Sequence, residues 1–132
     1  MEIKQILQPK YFLIGFGVLF LIAGTYNFVD AENAAETAYP DTSTYRDVFY
    51  EQTFGAFSIG LASLSLVTGI FVKGRELSIM AMAASGSMLV VFSLHYTSGE
   101  AVDYGYNDPV LFGILASLLA LQAVSGLSLI HI

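Results

Sequence analysis

Cysteine is missing from the 132-residue chain, which excludes disulfides, thiol redox chemistry and any cysteine-held metal or cluster. Tryptophan is missing too, so an aromatic belt at a membrane surface has to be made from tyrosine and phenylalanine. Charge is scarce: Lys, Arg, Asp and Glu together make up 12% of the chain, where a soluble domain carries about a quarter. No HExxH, GxSxG or glycine-rich phosphate loop occurs, so no common catalytic signature supplies an activity.

What is present is apolar. Hydrophobic residues make up 55% of the chain and the mean hydropathy is +0.67. Four segments, Tyr11 to Val29, Val48 to Val72, Leu77 to Tyr96 and Pro109 to Ile130, each approach the roughly 20 residues a helix needs to cross about 30 Å of hydrocarbon. Lys4 and Lys10 before the first run, with Ala31, Ala34 and Ala35 after it, give the outline of a signal peptide. The run is long for one and further spans follow, so it reads as a retained first span. The connections are too short to fold alone. The expectation is an all-α membrane protein: a single domain over 1–132, with four transmembrane helices in an antiparallel bundle.

Lys4, Lys10, Lys73 and Arg75 fall on one side of this plan and Arg46 on the other, which predicts both termini cytoplasmic. The opposite loops then hold Asp30, Glu32, Glu36, Asp41, Asp47, Glu100, Asp103 and Asp108. Such an acidic surface suits cations or a basic protein and disfavours nucleic acid; equally, these are ordinary solvated loop residues. The expected location is a cell membrane, the cytoplasmic (inner) membrane of a prokaryote, with the acidic loops outside.

Local signals fill in the plan. Pro9 and Pro109 suit first helical positions and Asp108 suits an N-cap. Tyr26, Tyr45, Tyr50, Tyr96 and Tyr104 fall at one membrane surface and Tyr11, Phe12 and Phe71 at the other, as interfacial belts do. Asp30 to Thr44 reads as a polar loop. The "KGRE" turn predicts the second and third spans as antiparallel neighbours.

The second span opens with "YRDVFYEQTFGAFSIG". At 100° per residue, Asp47, Glu51, Gly55, Ser58, Ala62, Ser65 and Gly69 share one sector. Small residues on one face suit close helix packing in a bilayer. The third span repeats the device in "MAMAASGSM", where Ala81, Ala84, Ser85, Met88 and His95 share a side and Ala84 and Gly86 are packing residues; Gly17, Phe20, Gly24 and Asn27 in the first span, and Ala116, Gln122, Ser125 and Gly126 in the fourth, are further packing residues. Asn27 and Gln122 read as hydrogen-bonding groups between helices.

Glu51 and His95 each lie about one turn inside their spans from the same surface, and an ionisable group in a span is a functional candidate. With Asp47 and Asp103 they form a candidate site for a divalent metal or a proton relay. His95 alone is a candidate axial ligand to a haem or chlorophyll pigment; His131, a membrane thickness away, cannot share that role. No cofactor is required by the sequence. In the competing reading Glu51 marks the start of its helix, where a carboxylate suits the dipole.

The plan as a whole, and locally "FYEQTFGAFSIGLA", resembles the small four-span membrane proteins of the DoxX-like kind and neighbouring families of uncharacterised function. The resemblance implies a four-helix fold and carries no site residues. From the residues, the expected function is an accessory or structural subunit of a larger membrane complex, or a self-associating one, without catalysis of its own. The alternative is a membrane-embedded metal-binding or redox protein using the Glu51, His95 and Asp cluster, and the last a small oligomeric channel or transporter lined by Glu51, Ser58 and Ser65.

Overall fold

The computed structural model describes residues 8–130; Lys4 and His131 lie outside them. All regular structure among these residues is helical: α1 (Pro9–Val29), α2 (Ala31–Ala38), α3 (Tyr45–Phe71), α4 (Gly74–Glu100) and α5 (Pro109–Ile130). The helices α1, α3, α4 and α5 are long and apolar enough to cross a membrane. The protein is an all-α membrane protein of four spans. The α1–α3 and α4–α5 connections share one end of the bundle, called the loop end below; the α3–α4 turn lies at the other, the turn end.

The helix boundaries have local causes. Pro9 occupies the first turn of α1, where its missing N–H is no loss. Thr44 precedes α3, and its backbone N–H and hydroxyl both donate to Asp47 Oδ2, at 2.8 and 2.6 Å. Gly74 opens α4 with φ of +68°, a conformation open to glycine at no steric cost, which lets the turn be short. Asp108 Oδ1 accepts from the N–H of Leu111 at 2.8 Å and so caps α5.

The packing departs from an even four-helix bundle. α1 packs closely on α3 and α4 on α5, while the backbones of α3 and α4 stay apart along most of their lengths. The "KGRE" turn makes the second and third spans antiparallel neighbours, but they face each other across a cleft and not in close backbone packing. The small-residue face of α3 is already covered by α1 and that of α4 by α5, so a short turn sets their connection and not their contact. In the first hairpin, Gly24 and Gly55 bring backbones together; a Cβ on Gly55 would lie 2.7 Å from the carbonyl oxygen of Gly24. Ser58 and Ala62 are buried and Ser65 Oγ donates to the carbonyl of Leu13 at 2.7 Å. Gly69 abuts Leu13 and Ile14. In the second hairpin Gln122 Nε2 donates to the carbonyl of Ala81 at 3.2 Å, and Gly126 lies against Ser78 and Met82.

Two further differences stand out. Gly86 faces open space and is not a packing residue; Ser85 is the position on that turn of α4 that is buried. Asp30 to Thr44 is not simply a loop, because it contains α2. Ala31, Ala34, Ala35 and Ala38 recur at helical spacing and are all buried, a narrow apolar face hidden in sequence by Glu32, Asn33, Glu36 and Thr37 beside it.

Candidate functional site

Glu51 sits on α3 less than two turns from its start and is 4% exposed. Both carboxylate oxygens are engaged: Oε2 accepts from Asn27 Nδ2 at 2.8 Å and Oε1 from the hydroxyl of Tyr104 at 2.9 Å. Asn27 comes from α1, and Tyr104 from the α4–α5 connection. One carboxylate thus ties the first hairpin to the connection of the second. Each oxygen has a second lone pair that these bonds leave unused.

The connection is itself fastened in place. The N–H of Gly105 donates to the carbonyl of Ala38 at the end of α2, at 2.8 Å, and a Cβ on Gly105 would collide with the carbonyl of Thr37. Asn107 Nδ2 donates to the carbonyl of Tyr96 at 3.0 Å. These contacts aim Tyr104 inward. Its ring meets that of Tyr39 edge to face with centroids 5.5 Å apart, that of His95 at 5.2 Å and that of Tyr106 at 5.7 Å. Burial, and then the neighbouring Glu51 carboxylate, push the Tyr104 phenol well above its ordinary range. It therefore stays protonated as a donor to Glu51. Burial and the same carboxylate also raise Tyr39.

His95 comes from α4 and lies parallel to Phe54 of α3, with ring centroids 6.3 Å apart. Glu51 and His95 are brought to the same cavity, of about 280 Å³, with Tyr39, Tyr50, Phe54 and Tyr104 in its wall. A second cavity of about 330 Å³ lies on the other side of Phe54, His95 and Tyr104 and reaches Asn27 and Tyr26. Asp47 and Asp103 line neither. Asp47 is committed to Thr44, and Asp103, at φ of +50°, is exposed in the connection.

Zinc takes four ligands, and calcium six or more oxygens. Among the described residues no three His, Asp or Glu side chains gather in a group that could hold a metal ion. What the arrangement offers is a buried carboxyl group with aromatic surroundings and His95 in the same cavity. Asn27 was legible in the sequence as a polar group between helices; Tyr104 read as one tyrosine of an interfacial belt, and nothing local marks it as the partner of a residue 53 positions away.

No known family model, curated protein or solved structure matches the chain.

Proposed function

We propose that this chain is a membrane-embedded binding protein whose site takes an organic cation of the ammonium class against Glu51. One observation carries the reading: a buried carboxylate whose two hydrogen-bond partners are both neutral forms part of the wall of an aromatic cavity. Removing a carboxylate from water without a counter-charge is costly; Asn27 and Tyr104 bring none, and His95 is, among the described residues, the one basic side chain in the same cavity. An ammonium group supplies the counter-charge, while the faces of Tyr39, Tyr50 and Phe54 attract the same charge through their ring quadrupoles.

The test is calorimetric titration of tetramethylammonium into the protein reconstituted in nanodiscs. The wild type should bind saturably, and Glu51→Gln, which keeps the shape of the side chain, should bind at least about tenfold more weakly, a change of about 1.4 kcal/mol. Absence of binding to the wild type, or equal binding to both, overturns the reading.

The loop end faces away from the cytoplasm in this proposal, because Lys10, Lys73 and Arg75 collect at the turn end. The membrane is the cytoplasmic membrane of a prokaryote.

A second reading, an accessory subunit of a membrane complex, is favoured by the outward side of α3. There Ala56 and Gly60 form the floor of an open groove between Phe28, Phe57 and Leu64, with Gln52 and Thr53 at one end. Small residues next to hydrogen-bonding ones are how bilayer helices find each other.

A further inference from the structure

The cleft between the two hairpins extends beyond the carboxylate. Three cavities follow one another from the loop end towards the turn end. The first, of about 280 Å³, contains Glu51; the second, of about 330 Å³, shares Phe54, His95 and Tyr104 with the first. The third, of about 240 Å³, shares Phe20 with the second and reaches Leu13, Ser65 and Gln122. The walls become more apolar with depth: the second cavity is ringed at the loop end by Tyr26, Asn27, His95, Tyr104 and Asp108 and turns to Leu19, Phe20 and Phe92 below them, and the third is lined mainly by Leu, Phe and Met. Phe20, which lines both the second and the third cavity and is stacked on Phe92 at 6.0 Å, bridges the hairpins at mid-depth. Glu51 and Ser65 are separated by 14 residues of continuous helix, about 21 Å at 1.5 Å per residue.

The inference rests on the binding reading above and names the ligand. We propose that the occupant is a single-chain amphiphile with an ammonium head, the head against Glu51 and the alkyl chain running down the cleft past Phe20 and Phe92. Ionisable groups confined to the loop end, Glu51 and His95 with Asp108 beside them, above a cleft of that length that turns apolar suit a long-chain alkylammonium; a compact cation fills the head site alone and a neutral lipid leaves it unfilled. Rotation of the Phe20 and Phe92 rings joins the second cavity to the third, a side-chain motion that needs no helix to move.

The protein contains no tryptophan, so a single introduced indole reports on the slot alone. Phe92→Trp, and independently Leu115→Trp on the wall of the second cavity, are reconstituted in nanodiscs and titrated with 12-bromododecyl-trimethylammonium. Bromine quenches indole on contact. Quenching should saturate at one molecule per chain, and in the Glu51→Gln background should fall back to the unsaturable level set by bromide dissolved in the bilayer. Either reporter is sufficient if the other variant does not fold. Equal saturable quenching by 12-bromododecanol overturns the assignment, because the head charge then selects nothing. If tetramethylammonium binds in a Glu51-dependent way but the bromoalkyl chain quenches without saturation, the slot proposal falls and the binding reading stands. If tetramethylammonium does not bind, the binding reading falls and the slot proposal with it.

Discussion

Glu51 shows how one side chain acquires its setting from three separate pieces of chain. Its donors come from α1 and from the α4–α5 connection, so removing either changes the site without touching the carboxylate. Tyr104→Phe keeps the ring stack with Tyr39 and His95 and deletes the bond to Oε1. The expected result is a loss of about 1.5–3 kcal/mol of stability, the range for a hydrogen bond to a charged group, read from thermal unfolding in detergent. Alkaline titration offers a second check. The Tyr104 phenol is raised on folding by burial and by Glu51, so the folded state holds this proton more tightly than the unfolded state. Its contribution to stability is complete at and below the ordinary phenol value of about 10 and is lost as pH rises through the higher folded value. Phenolate absorbance should therefore show a late phase that coincides with unfolding, and Tyr104→Phe should reduce its amplitude by one tyrosine.

At the scale of the helices, the decisive positions are those where no side chain fits. Gly24 and Gly55 allow α1 and α3 to touch backbone to backbone. Gly55→Leu places atoms against the amide of Phe28 and the carbonyl of Gly24, which cannot give way as a flexible side chain does. It should separate the first hairpin at a cost of about 3 kcal/mol or more, visible as a lowered melting temperature. Gly86→Leu, which meets open space, should be nearly silent in the same assay. Gly105→Ala should undock α2 from the α4–α5 connection by displacing Thr37, and protease sensitivity near Thr37 is the readout. The sequence displayed the spans well, since an apolar run of the right length has few other homes, and the stripe on α3 was visible because 3.6-residue periodicity survives in it. α2 was hidden because an alanine face is too weakly apolar to stand out between acids. The assignment of Gly86 failed because composition tells that a glycine is near a packing face, not which side of the turn it is on. The union of Glu51 with Tyr104 was illegible because it depends on how a loop folds back, which no local pattern encodes.

For the whole molecule, two tight hairpins joined by a weak seam invite a question about company. If the chain is an accessory subunit, gentle solubilisation should yield it with other chains at fixed stoichiometry in native mass spectrometry; a folded monomer with no partner lost counts against that reading and leaves the binding reading in place. The same architecture has a consequence for how the protein is made. Each hairpin buries its small-residue face within itself, with Gly74 marking the border between them. The first therefore has its lasting partners as soon as Phe71 has been translated, and α4 is not needed to finish it. Biogenesis can proceed as two successive insertions, with the cleft between the halves forming last, when the connection that carries Tyr104 folds over Glu51.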